Sequence, residues 1–358
     1  MNIHVLDQTF NLIGIIDDYV SVIWRPAYYD VGDFELYLSA SAEAVKLLKK
    51  DRYLVRERDI EVDESGNVSY SKVMMIKNFT LTTDAEGGDY LTVTGRELKF
   101  LLHQRIVWKQ TTLTGTAENA IRRLVTENAI NPTDSKRVIP TLTLGASAGL
   151  TDSIEKQVTG DYLDQTIVDI CTAYDYGWEI FIYNRSLVLI VYQGVDRSFN
   201  QSERPYVVFS EDFDNILNSS YELNSEEYAN TTLIGGEGEG TERIYTTVGA
   251  DKSGLARYET FTDARDLSQN KDSEDEIPLN TYLALLQERG REDLAGLSIT
   301  EGFSGEVLDI NFMYGIDYYM GDVVTMINKY GITKNVRVLS AIESADDSGD
   351  KVIPQFNI

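Results

Sequence analysis

The segment with the strongest look of chemistry is Gly235-Gly236-Glu237-Gly238-Glu239-Gly240, whose spaced glycines suit a phosphate cradle. Its neighbours argue against that chemistry. No Gly-Lys-Ser/Thr follows, and Glu237 and Glu239 would repel a phosphate. The stretch also lies between strand-like segments and not ahead of a helix, so it reads as a turn where backbones approach closely. A second cluster, Asp263, Asp266, Asp272, Glu274, Asp275 and Glu276, offers the oxygen ligands that calcium takes. An EF-hand loop sets such ligands at alternate positions with glycine at the sixth. That register is absent, which leaves a solvated acidic loop. Paired carboxylates such as Asp161 and Asp164 raise the two-acid arrangement of a glycoside hydrolase. With 58 acidic residues in the chain, a pair carries no information without geometry. Asp161 and Asp164 read more simply as a helix cap and a first-turn acid.

Histidine and cysteine close other routes. His4 and His103 are the two histidines, too little material for a Ser-His-Asp triad or a His-rich metal site. The single cysteine, Cys171, excludes a zinc centre that needs two thiolates from one chain. It falls on a predicted apolar helix face, the place of a buried structural thiol. The 22 tyrosines could build a sugar-binding platform, yet most occupy strand positions where cross-strand packing accounts for them. The expectation is no catalytic, cofactor-binding or metal-binding residue.

The elements that would position any site are mainly strands. Residues 3–105 alternate as half-buried strands do, in Ile3-His4-Val5-Leu6-Asp7 and Asp33-Phe34-Glu35-Leu36-Tyr37-Leu38, with a short helix at Ala42–Lys50. Residues 106–203 read as a small α+β domain. Thr116 caps a helix running through Asn128, Asp161 caps a second that Gly177 stops, and a hairpin turns at Asn184-Arg185. Residues 204–358 return to β character, with a polar loop at Asp263–Glu276 and a helix from Pro278 to about Ala295 forming an insertion near 263–296.

Composition bounds the function. A chain of 358 residues predicts two to four domains. No apolar run nears the roughly 20 residues of a membrane span, and the N-terminus lacks the basic and apolar regions of a signal peptide. One cysteine fits synthesis and assembly in a reducing cytoplasm. With 32 basic against 58 acidic residues, the formal net charge is -26, which disfavours binding to nucleic acid or anionic membranes.

The two ends share a strand plan. Asp51–Glu57, a Ser65-Gly66-Asn67 turn, Val73–Phe79, a Gly87-Gly88-Asp89 turn and Tyr90–Gly95 stand near the start. Asp322–Ile327, a Lys329-Tyr330-Gly331 turn, Val336–Ile342, Gly349-Asp350 and Lys351–Phe356 stand at the end. Such duplication suggests quasi-symmetric architecture more than a catalytic cleft.

Three motifs carry a resemblance. The stretch from Leu233 to Arg243 resembles a hallmark turn of the siphovirus and prophage tail hub proteins, also called tail-associated or baseplate hub proteins. Tyr314-Gly315-Ile316-Asp317-Tyr318-Tyr319-Met320-Gly321-Asp322-Val323-Val324 is similar to that family's Gly-Asp lead-in to the last strands. Trp24-Arg25-Pro26-Ala27-Tyr28-Tyr29-Asp30-Val31-Gly32-Asp33-Phe34-Glu35-Leu36 is similar to its N-terminal segment. The motif residues are Gly235, Gly236, Gly238, Gly240, Arg243, Gly321 and Asp322.

The resemblance implies two similar β-barrel hub domains, at 1–105 and 204–358, with the α+β domain inserted. It implies a non-enzymatic virion component, a homotrimer whose ring adapts a sixfold tail tube to a threefold tip and lets DNA pass. Partners would be the distal tail protein, the tape measure protein and a tip or fibre protein. The acidic charge would line the channel. Many hubs continue into fibre or wall-degrading regions, and the chain's stop after the second barrel would leave those tasks to other proteins. The alternatives are a tail-tip cell-wall hydrolase or a carbohydrate-binding adhesin.

Overall fold

The structure is a computed structural model describing residues 1–84, 88–271, 276–308, 310–346 and 349–357. Its organising element is a five-strand unit that occurs twice. In the first, Ser21–Arg25 pairs with Asp33–Ser39, that strand with Gly88–Glu97, then Met74–Asp84, then Tyr53–Arg56, all antiparallel. In the second, Ile216–Asn224 pairs with Thr300–Val307, which packs alongside Gly349–Asn357. Gly349–Asn357 pairs with Thr333–Asp346, and Thr333–Asp346 with Val323–Ile327. Numbered along the chain, both units run 1-2-5-4-3 in space. The repeat is thus five strands deep, two more than the sequence pattern indicates.

The match extends to individual hydrogen bonds. In the first hairpin Asp84↔Gly88 closes the tip and seven pairs run to Asn78↔Thr94. Lys77 then bulges, and pairing resumes at Ile76↔Gly95. In the second, Asp346↔Gly349 closes the tip and seven pairs run to Ser340↔Gln355. Leu339 bulges, and pairing resumes at Val338↔Phe356. A bulge sharpens the local twist, so placing it identically gives both hairpins the same bend. Each third strand is entered through a left-handed residue, Asp51 (φ 60) or Gly321 (φ 87). Asp51 N–H donates to the Ile76 carbonyl and Ile76 N–H to the Arg52 carbonyl, both at 2.9 Å. Gly321 and Asp322 repeat both bonds with Val338 at 2.9 Å. Asp322 therefore matches Arg52, one residue away from the alignment on Asp51 that the sequences suggest.

The fold is mainly β with helical insertions, as expected, but neither unit closes into a barrel. A strand has two pairing edges, and in the first unit both outer ones are used elsewhere. Tyr53–Arg56 pairs onward with Ile3–Leu6, which pairs with Leu12–Ile16. Ser21–Arg25 pairs with Thr333–Asp346 of the other unit. The result is an open eleven-stranded sheet joining both ends of the chain, with Val208–Ser210 parallel to Val323–Ile327 at its margin.

Between the units lies the α+β segment. Ala117, Ala120, Ile121, Leu124 and Val125 are buried along helix Ala117–Val125, and the Thr116 hydroxyl caps it by accepting from Asn119 N–H at 3.3 Å. A second helix, Leu163–Tyr174, packs on it. Both of its ends differ from expectation. Tyr162 is the N-cap in place of Asp161, and left-handed Asp175 (φ 59) stops the helix before Gly177 is reached. Gly177–Tyr183 and Ser186–Tyr192 form the predicted hairpin, with Asn184 and Arg185 both left-handed as a type I′ turn requires. Its sheet also takes in a short hairpin, Ile60–Val62 with Val68–Tyr70, from within the first unit. Those strands are three residues long and not buried, too short for the alternation of Ile-Glu-Val and Val-Ser-Tyr to stand out. Helix Leu279–Gly296 covers a small sheet of Thr231–Gly235, Tyr245–Val248 and Glu259–Asp263. Among the described residues no helix is long and apolar enough to cross a membrane.

The cap is a test of this local reading. Thr116→Ala should lower stability by about 1 kcal/mol in denaturant unfolding, whereas Thr116→Ser, which keeps the acceptor, should be close to neutral.

Candidate functional site

The groups that bind the two units together form a dense cluster of charged side chains. Glu343 stands on Thr333–Asp346 opposite Trp24. Its Oε2 accepts from Arg56 Nη1 at 2.7 Å and from the Arg58 guanidinium, and its Oε1 lies 3.1 Å from Lys72 Nζ. Arg56 is wholly buried, pairs also with Asp59, and sits 5.2 Å over the Trp24 ring. Trp24 Nε1 donates to the Lys72 carbonyl at 2.9 Å. Burial alone would raise the Glu343 carboxyl, but Arg56, Lys72 and Arg58 outweigh it and hold the group below the usual carboxylate range. Burial likewise opposes the charge on Arg56, and Asp59 and Glu343 reverse that. A buried charge left without its partner is strongly destabilising. The cluster therefore permits one docking of the C-terminal hairpin and penalises others.

A second junction gathers two of the recognised motifs. Tyr28 is fully buried where the first unit, the α+β segment and the second unit meet. A Cβ on Gly177 or on Gly321 would fall 2.2 Å from its ring. Its hydroxyl accepts from Gly194 N–H at 2.9 Å and donates to the Asp175 carbonyl at 3.1 Å. Its N–H donates at 2.8 Å to the carbonyl of Leu339, the bulged residue. The bulge thus exposes a carbonyl at the point where the N-terminal segment docks. Beside it Asp322 accepts from Val195 N–H at 2.8 Å, Arg197 Nε at 2.7 Å and Tyr319 N–H at 3.0 Å. The Gly-Asp pair is a clamp: glycine makes room for Tyr28, and aspartate ties down the returning chain.

The glycine-rich turn stands apart, over helix Leu279–Gly296. Arg243 folds back on it, donating to the Gly236 carbonyl at 3.0 Å, the Gly235 carbonyl at 2.8 Å and Asp263 at 2.6 Å. A Cβ on Gly235 would lie 2.6 Å from that guanidinium, and one on Gly236 2.6 Å from Tyr282 Oη. Gly238 (φ 103) and Gly240 (φ 55) are left-handed. Glu237 N–H donates to Tyr282 Oη at 2.7 Å, and its carboxylate accepts from Gln269 N–H at 2.8 Å. A cation fills the turn from within, the reverse of a phosphate cradle.

The remaining candidates divide between engaged and exposed groups. Asp263 is held by Arg243 and Arg265, and Asp266 by Arg289. Glu276 is exposed, while Asp272, Glu274 and Asp275 lie outside the described residues. Asp161 is exposed, and buried Asp164 lies 3.1 Å from Nδ1 of His103, which stacks between Phe100 and Tyr162. Cys171 is buried, which pushes its thiol up. The motif glycines and Arg243 form one group, and Gly321 and Asp322 another. Sequence reasoning missed Glu343 and Arg56, which meet across 287 positions. Tyr28 lay inside a quoted motif, but nothing there marked it as the wedge.

The family model of the Siphovirus ReqiPepy6 Gp37-like proteins matches residues 2–356. The chain belongs to this family of siphovirus tail proteins. Solved structures show the same fold. The tail protein from Neisseria meningitidis MC58 superimposes with a TM-score of 0.58 at 13% identity, over 99% of this chain and 96% of that one. A prophage MuSo2 43 kDa tail protein from Shewanella oneidensis gives 0.58 at 10% identity, over 99% and 98%. Prophage tail protein gp18 from Listeria monocytogenes EGD-e gives 0.54 at 12%, over 100% and 94%. Comparison with curated proteins gives no match.

Two predictions follow from the junctions of this phage tail protein. Glu343→Gln should cost about 3 kcal/mol of stability in denaturant unfolding, because buried Arg56 loses a counter-charge. The folded carboxyl sits below its unfolded value of about 4.3. Its contribution is therefore complete above that pH and fades as pH falls through the folded value, so the variant should lose less stability than the native chain on acidification below about pH 4. Gly321→Ala should cost about 3 kcal/mol from left-handed strain plus collision with Tyr28. Gly315→Ala, left-handed (φ 85) in open space, should cost only about 1 kcal/mol.

Proposed function

We propose that this tail protein is the hub of a phage or prophage tail tip: three copies close into a ring that joins a sixfold tube to a threefold tip. The observation that carries the reading is the repeat of one five-strand unit in one chain, with the same strand order, bulge and register. Three chains would present six equivalent units to a sixfold tube while keeping threefold symmetry below. Cyclic heterologous contacts close when their rotation permits. The role is structural and non-enzymatic. The distal tail ring and tape measure protein would contact one side and a tip or fibre protein the other, with DNA passing through the centre. A net charge of -26 would keep that DNA from adhering. The ring would be built in the host cytoplasm and carried in the virion tail.

Absolute protein quantification on purified tails tests this. The expected result is three copies per tail, with antibody label at the distal tip. A copy number that grows with tail length, or label along the tube, would overturn it.

A further inference from the structure

The internal junction shows how one unit joins the next, and one half of that junction is left open in each unit. Strand Thr333–Asp346 has two neighbours past its bulge: Gly349–Asn357 on one edge and, at Glu343 to Asp346, strand Ser21–Arg25 on the other. Its counterpart in the first unit is Met74–Asp84. There Gly88–Glu97 occupies one edge, while from Asn78 to Thr83 the other edge carries no ladder among the described residues. Counting from the bulges, Phe79 corresponds to Ala341 and Leu81 to Glu343. Ala341 and Glu343 are buried at 0% and 5% exposure, whereas Phe79 and Leu81 are half exposed at 50% and 49%.

Those two side chains face the core side of the sheet. Phe79 is directly opposite Val93 and Leu81 opposite Leu91, both fully buried, and opposed residues share a face. They are core positions whose cover is missing.

The covering strand has a counterpart too. Ser21–Arg25, first strand of the first unit, corresponds to Ile216–Asn224, first strand of the second. Among the described residues Ile216–Asn224 pairs only with Thr300–Val307, so its other edge is open. Tyr221 on this strand packs against Phe303 of the core, and Leu223, two residues on and on the same face, is 52% exposed. An exposed apolar edge invites strand addition, and natural chains rarely leave one without a use.

We propose that Ile216–Asn224 of one copy pairs antiparallel with Asn78–Thr83 of the next, repeating between chains the Ser21–Arg25 to Thr333–Asp346 pairing made within each chain. The occupant of the open edge is a second copy of this protein, because the chain already holds the docked form of the same arrangement. Phe79, Leu81 and Leu223 become buried together, and every unit then has the same neighbours. This rests on the ring proposed above and assigns the strands that close it.

Cysteine cross-linking in purified tails tests the pairing, helped by the burial of the single native thiol, Cys171. Thr82, facing away from the core side, is changed to Cys together with Ser220→Cys, Glu222→Cys or Asn224→Cys, which lie on the matching face. Disulfide formation needs Cα atoms within about 7 Å. One of the three pairs should give linked dimers and trimers and nothing larger, while Thr82→Cys with Tyr221→Cys, of opposite parity, should give none. Three copies per tail with no cross-link at any matching pair would overturn the strand assignment and spare the ring. Absence of a three-copy assembly would overturn both. As a second readout, Phe79→Thr with Leu81→Thr, which keep strand propensity, should leave the isolated chain cooperatively folded with a modestly lowered unfolding midpoint and abolish its incorporation into tails. Normal incorporation would contradict the proposal.

Discussion

Strand Ser21–Arg25 is the constraint on which the rest of the structure depends. One edge belongs to its own unit, and the other is committed to Thr333–Asp346 at the far end of the chain. Bringing segments more than 300 residues apart into register has a loop-closure cost, though it grows only with the logarithm of separation. What fixes the register is chemistry at the seam. A one-residue slip would turn Glu343 to the opposite face and leave buried Arg56 beside Trp24 with Asp59 but without the charge of Glu343. The ion cluster is therefore better understood as specifying the arrangement than as a net source of stability.

The same seam explains how a repeated unit carries such different insertions. In the first unit only a short connection separates strands 1 and 2, and the Ile60–Tyr70 hairpin interrupts strands 3 and 4. In the second, the glycine turn, the small sheet and helix Leu279–Gly296 all fall between strands 1 and 2. Each insertion leaves the hairpin of strands 4 and 5 untouched, with its bulge and tip register intact. The bulge has a direct use in the second unit, where the Leu339 carbonyl receives the Tyr28 N–H. Tyr28 then packs against Gly177 and Gly321, so one aromatic ring fixes the α+β segment and both units together.

Much of this was legible beforehand. The mainly β class, the α+β middle, its hairpin turn at Asn184-Arg185 and the helix after Pro278 follow from periodicity and turn chemistry. The duplicated strands were visible as three, because Gly-Asp turns and alternation mark hairpins. Strands 1 and 2 of the second unit give no local sign of belonging to the repeat, since some 75 inserted residues separate them. Barrel closure was expected from resemblance and did not occur, because sheet edges are allotted by long-range pairing that no local pattern encodes. The motif glycines stood out by composition, while Glu343 and Arg56 gave no local sign of being partners. The helix stop at Asp175 was hidden because a non-glycine residue took the left-handed position.

Cryo-electron microscopy of the assembled tail tip measures the central claim most directly. If the duplicated unit exists to match a sixfold tube, the map will show three copies of this chain. Their six five-strand units will lie at one radius, about 60° apart. Six copies around the axis, or two units of one chain at different radii, would contradict the account.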